Sequence, residues 1–146
     1  MSFLRYYLRP MLKHWRTTWK LLTSYAKSEE VEWSEITVDD LFDRVNSDQP
    51  PLLIDVRSPK EFNGGYGHIP NARPIPVLDL ESNFDALQSF KEKEIVTMCP
   101  GGGMSLVAVE ILEKAGFKDV KSLKGGTDLW HKKGYPTTMS NVDEGE

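Results

Sequence analysis

A cysteine followed by Pro-Gly-Gly-Gly-Met-Ser, residues 99–105, is the one stretch of this chain whose residue types and spacing suggest covalent chemistry. Cys99 is the only cysteine among 146 residues. A thiol on a glycine turn before a helix sits among main-chain N–H groups, with the positive end of a helix dipole behind them. Such surroundings favour the thiolate, which is the nucleophilic form. The bland reading is a small apolar residue ending a buried strand. Gly101, Gly102 and Gly103 argue against it, because they permit close backbone approach to a ligand and have no evident packing purpose. Gly101, Gly102, Gly103, Met104 and Ser105 each offer an N–H, and Pro100 offers none. The Ser105 hydroxyl either adds a further donor or caps the helix.

The flanking segments predict how Cys99 is positioned. Ile95 to Met98 reads as a buried strand that delivers it, and Leu106 to Ala115 as the helix that follows, with Leu106, Val109, Leu112 and Ala115 on its core face. Gly116 ends that helix. Leu52 to Val56 is a continuous apolar strand, the pattern of a sheet covered on both faces. Thr37 caps a helix striped by Val38, Leu41, Phe42 and Val45, and Ser58-Pro59-Lys60-Glu61 starts another. Glu35-Ile36, Ala72 to Ile75 and Asp119 to Leu123 complete the strands, and Thr127 opens a last short helix. A further helix is expected from a cap at Ser82 to Asp85, running to about Lys91. Strands alternating with helices imply an α/β fold with a parallel sheet, whose ligands bind at the carboxyl ends of the strands. Cys99 directly follows such an end.

Composition is that of a soluble globular chain, 39% hydrophobic and 27% charged. One cysteine rules out an internal disulfide framework or a multi-cysteine zinc site and fits a reducing compartment. His14, His68 and His131 lack metal-ligand spacing, so no metal is expected. The net charge of −4 is uneven. Residues 1–28 hold six basic residues and no acid, whereas the remainder holds twelve basic against 22 acidic residues. Leu4, Leu8, Met11, Trp15, Trp19 and Leu22 line one face of an amphipathic helix there. That arm lies on an anionic membrane surface, packs on the body or a partner, or is a mitochondrial transit segment. The corresponding locations are the cytoplasm, with or without peripheral membrane attachment, and the mitochondrial matrix. The expected organisation is an arm at 1–28, a globular domain at 29–139 and a disordered acidic tail at 140–146. The acidic body speaks against nucleic acid as a partner.

Four segments between Trp33 and Pro136 together resemble the rhodanese (sulfurtransferase) family in its single-domain form. They are the run from Leu52 through Asp55, Arg57 and Glu61 to Phe62; Gly67-His68-Ile69-Pro70-Asn71-Ala72 through Pro76; Cys99 to Ser105; and Lys124-Gly125-Gly126 through Trp130 to Gly134-Tyr135-Pro136. The resemblance implies a five-stranded parallel sheet flanked by helices. It implies transfer of sulfane sulfur through a persulfide on Cys99, from thiosulfate or a persulfide donor, with no other cofactor. The residues at 100–105 would bind the persulfide. Asp55 and Arg57 are read as a structural pair, Glu61 as a cap, His68 as a tie from loop to backbone, and Trp130 as packing.

Many family members carry basic or polar side chains in the turn, and this one has none before Ser105. A dianionic donor would then depend on backbone dipoles or on Arg73 or Lys124 from elsewhere. The expected sulfur donor or acceptor is therefore a protein thiol or persulfide, or a small thiol. A cysteine phosphatase needs Cys-x5-Arg, and Ser105 occupies the arginine's place. The alternative from another class is a non-catalytic binding or regulatory module tethered by its N-terminal helix.

Overall fold

Five short strands carry the architecture of the computed structural model, in which residues 34–139 are described. The expected amphipathic arm at 1–28 and the acidic tail at 140–146 lie outside them. The elements run β1 (Glu35–Ile36), α1 (Val38–Val45), β2 (Leu52–Asp55), α2 (Pro59–Phe62), β3 (Arg73–Pro74), β4 (Glu94–Met98), α3 (Gly103–Lys114), β5 (Asp119–Leu123) and α4 (Gly126–Lys132). All pairings are parallel, in the order β1-β5-β4-β2-β3. β4, which delivers Cys99, is thus central. Its register sets Asp55 beside Met98 and Ser122 beside Thr97.

Alternation along the strands builds two cores. Leu53, Val96, Met98 and Leu123 pack with Leu41, Phe62 and Trp130 in one cluster, in the layer where α1 meets α4. The intervening residues Ile54, Ile95, Thr97, Val120 and Ser122 point the other way and are all buried. That second face is covered by α3, whose buried residues are Met104, Ser105, Ala108, Val109 and Leu112. The core face of α3 therefore runs through Ser105 and Ala108 as well as Val109 and Leu112. Leu106 and Ala115, expected on it, are only half-buried. The helix also starts three residues before Leu106, at Gly103.

The caps follow from the sequence. The Thr37 hydroxyl accepts the Asp40 N–H at 3.1 Å, and the Ser58 hydroxyl accepts the Glu61 N–H at 3.1 Å. Two elements differ from expectation. β3 is reduced to Arg73–Pro74 at the sheet edge, because Pro74 and Pro76 cannot donate to a ladder. The helix expected from Ser82 is instead a string of 3₁₀ turns at Val77–Asp79, Glu81–Asn83 and Asp85–Phe90. There the Ser82 hydroxyl and Asn83 amide donate to Asp79 O, at 2.9 and 2.8 Å. Local side-chain bonds of this kind compete with regular helix. Among the described residues no helix is long and apolar enough to cross a membrane.

Candidate active site

Cys99 lies one residue beyond β4 and four before α3, at the carboxyl end of the sheet. The turn between them closes over the sulfur, so that Cys99 has 0% of its surface exposed. The Gly102 N–H donates to Sγ at 3.1 Å and the Ser105 N–H at 3.4 Å. The Ser105 hydroxyl lies 3.4 Å from Sγ. Gly102 makes this possible with φ +96°, a left-handed conformation suited to glycine. Its missing side chain also leaves room for Leu123 O, which a Cβ would meet at 3.2 Å. Among the described residues, the N–H donors that reach the sulfur are therefore those of Gly102 and Ser105. Gly101 and Gly103 are exposed, and among the described residues a Cβ on either would touch nothing within 4 Å.

The back of the turn is fixed by α4. The N–H groups of Thr127 and Asp128 donate to the carbonyls of Cys99 and Pro100, at 2.9 and 3.1 Å. Gly126 (φ +67°) packs so closely there that a Cβ would stand 2.2 Å from both oxygens. With these carbonyls held toward α4, the dipoles left near the sulfur are positive N–H ends.

Beneath this lies a layer of buried hydroxyls. Ser105 Oγ and Ser122 Oγ are 2.6 Å apart, and both residues are 0% exposed. The Thr97 hydroxyl donates to Ser105 O at 2.8 Å and so ties β4 to the first turn of α3. Ser122 is a site residue that the sequence reading missed. Its signal is a hydroxyl two residues after Val120, on the strand face that turns toward α3.

Asp55 and Arg57 form a buried ion pair beside the turn. Arg57 Nη2 donates to Asp55 Oδ2 at 2.8 Å and to Gly67 O at 2.9 Å, and Nε donates to Asp55 Oδ1 at 2.9 Å. The Arg57 N–H also donates to Oδ1 at 3.1 Å. Burial alone would lower the basicity of the guanidinium, and the hydrogen bonds and charge of Asp55 more than reverse it, leaving the pKa raised. The backbone of Val56 joins this corner to the sulfur's strand, its N–H donating to Met98 O at 2.9 Å.

The remaining candidates have separate places. His68 Nδ1 lies 3.0 Å from Phe62 O, with the ring stacked on Phe62 at 3.6 Å. Its backbone pairs with Thr138. Trp130 is buried in the core, and its Nε1 donates to Pro136 O at 2.8 Å. Glu61 Oε2 is buried without a partner among the described residues, and burial pushes this carboxyl above its ordinary range against the pull of Arg57. Arg73 does not come to the turn. Its guanidinium sits 5.0 Å over the ring of Phe90, which lines a cleft with Leu52 and Glu94 at the amino ends of β2 and β4. Lys124 follows β5 with its side chain exposed, and its N–H is bound to Ile36 O.

Tyr66, also missed from sequence, clasps the site from the 63–67 turn. Its hydroxyl donates to Asp128 and lies 3.0 Å from Thr127 Oγ1. Burial, reinforced by Asp128, pushes its pKa from 10.0 up to about 12. The unfolded chain then releases this proton near pH 10 while the folded chain holds it to about pH 12. Stability from Tyr66 is thus complete below about pH 10 and is lost as pH climbs toward about 12. Urea unfolding across this range is expected to show a smaller alkaline loss in Tyr66→Phe than in the parent chain. Identical losses would remove Tyr66 as its source.

A family model described as "Rhodanese-like domain" matches residues 37–133. The putative sulfurtransferase YtwF of Bacillus subtilis is 33% identical over 100 residues, covering 68% of this chain and 92% of that protein. The probable adenylyltransferase/sulfurtransferase MoeZ of Mycobacterium tuberculosis is 32% identical over 109 residues, covering 75% of this chain. The chain spans only 27% of MoeZ's length. Among solved structures, a rhodanese-related protein from Thermoplasma volcanium superimposes with a TM-score of 0.64 at 28% identity, over 74% of this chain and all of that one. The glycine turn carrying Cys99, the strand order and these matches lead to one assignment: the chain belongs to the rhodanese-like domain family.

Proposed function

We propose that this protein is a sulfurtransferase that carries sulfane sulfur as a persulfide on Cys99, exchanging it with a protein thiol or a small thiol. The observation that carries this reading is the convergence of two N–H groups and one hydroxyl on a sulfur at the carboxyl end of the central strand. The two N–H groups, held by the backbone of the turn, stabilise negative charge on that sulfur.

In the first half-reaction the Cys99 thiolate attacks the outer sulfur of R–S–SH. An S–S bond forms, the donor's S–S bond breaks, and the proton leaves with the donor as R–SH. The product is Cys99–S–S⁻. In the second, an acceptor R′–SH takes the outer sulfur as R′–S–SH and the Cys99 thiolate is regenerated. The turn has to part for either step, because the sulfur has no exposed surface. Among the described residues nothing stands within 4 Å of a Cβ at Gly101 or Gly103, which supports such movement.

A thiol-borne donor fits better than thiosulfate. Pro100 to Met104 hold no charge, and Arg73 is engaged with Phe90 instead of facing the turn. The test is intact mass spectrometry of the full chain after exposure to glutathione persulfide. Expected is a gain of one sulfur atom, lost again when a fresh thiol is added, and absent from Cys99→Ser. Thiosulfate is expected to load the protein far more slowly at equal concentration. No gain from either donor would overturn the reading. It would leave a non-catalytic binding module, which the closed position of the sulfur favours.

A further inference from the structure

Cys99 is linked to a second buried hydroxyl through the first. Sγ is 3.4 Å from Ser105 Oγ, which is 2.6 Å from Ser122 Oγ, which in turn is 3.5 Å from Gly102 O. The two serines are fully buried. Two hydroxyls hold two hydrogens, so a chain running between a sulfur and a carbonyl can point in only two directions. We propose that Ser122 is a positioning residue that sets the charge preference of Cys99 through Ser105, the hydroxyl pair reversing direction when the sulfur ionises.

With a neutral thiol, S–H donates to Ser105 Oγ, the Ser105 hydroxyl donates to Ser122 Oγ, and the Ser122 hydroxyl donates to Gly102 O. When the sulfur ionises, its proton passes to solvent water. The Ser122 hydroxyl then turns to Ser105 Oγ, and the Ser105 hydroxyl turns to the sulfur. No bond between heavy atoms changes, and both hydroxyls move only by rotation about Cβ–Oγ. The sulfur gains a third donor beside the N–H groups of Gly102 and Ser105. Gly102 O gives up a long contact in return.

The short Ser105–Ser122 contact matters because a hydroxyl that accepts a hydrogen bond becomes a stronger donor. Without Ser122, the Ser105 hydroxyl would face the anion unpolarised. Thr97 stands outside this chain. Its hydroxyl donates to the carbonyl of Ser105 at 2.8 Å and fixes the backbone that carries the reversing group.

The meaning of this device for sulfur transfer rests on the proposed role of Cys99, but its test does not. Cys99 is the only cysteine, so the far-ultraviolet absorbance of thiolate, with the Cys99→Ser spectrum subtracted, reports its charge across a pH titration of the full chain. Ser122→Ala is expected to lower the thiolate fraction near neutral pH about threefold while reaching the same plateau at high pH. Ser122→Thr is expected to titrate like the parent and Ser122→Val like Ser122→Ala. That pair shares one shape and differs in the hydroxyl, so it keeps the test valid if Ser122→Ala folds poorly. A Ser122→Val curve superimposed on that of Ser122→Thr would overturn the proposal. Sulfur loading measured on the same samples separates the two ideas: loading with unchanged titration removes only Ser122, and shifted titration without loading removes only the carrier role.

Discussion

Gly126→Ala is expected to slow the proposed sulfur loading of Cys99 about a hundredfold, because a shift of about 1 Å in a reacting group has effects of that size. The added Cβ would stand 2.2 Å from the carbonyl oxygens of Cys99 and Pro100. Neither oxygen can retreat within the native arrangement, since the N–H groups of Thr127 and Asp128 hold them at 2.9 and 3.1 Å. The residue also sits at φ +67°. Clash and backbone conformation together are expected to lower stability by about 3 kcal/mol. Gly101→Ala is the matched control. It adds the same methyl group to the turn itself, where among the described residues a Cβ has no neighbour within 4 Å. Its stability is expected to stay within about 0.5 kcal/mol of the parent. Single-turnover sulfur loading and urea unfolding of both variants check the pair. Similar behaviour of the two would mean that the contact between α4 and the turn does not position the sulfur.

Arg57→Met is expected to cost about 3–5 kcal/mol, the penalty for removing one partner of a buried ion pair. The Asp55 and Arg57 side chains are 0% and 3% exposed, so water cannot replace the lost guanidinium. Gly67 O would lose its donor as well. The loss reflects a stranded carboxylate more than the net worth of the pair, and a double variant distinguishes the two. Asp55→Asn keeps an oxygen for the Arg57-position N–H while removing the charge. Asp55→Asn combined with Arg57→Met is therefore expected to be about 2 kcal/mol more stable than Arg57→Met alone. Urea midpoints of the three chains give the answer. A double variant no better than the single would show that the forked hydrogen bonds, and not the charge, hold this corner.

Much of this architecture is legible in local sequence. The apolar runs at 52–56 and 95–98 mark the buried strands, and Thr37 and Ser58 mark helix starts, because those signals act over a single turn or strand. The position of Cys99 at a strand's carboxyl end follows from the same reading. What stays hidden depends on contacts distant in sequence. Tyr66 meets Asp128 across 62 positions, and Ser105 meets Ser122 across 17. The 3₁₀ turns at 77–90 replace an expected helix because Ser82 and Asn83 bond to the backbone instead of leaving it to α-helical pairing. An apolar stripe places the start of α3 at Leu106, three residues late, because it ignores Gly103 and Ser105. The positive φ of Gly102 brings those residues into the helix and turns its first amides toward the sulfur.

The closure of the turn over Cys99 has a consequence for survival under oxidative stress. Oxidation of a thiol to sulfenic, sulfinic and sulfonic acids follows its exposure as well as its charge. A resting sulfur with 0% exposure meets peroxide only while the turn is parted. These 146 residues hold no second cysteine to resolve a sulfenic acid by disulfide formation. The glycine turn is thus a sheath as much as a cradle: it shields a side chain for which these 146 residues supply no repair partner.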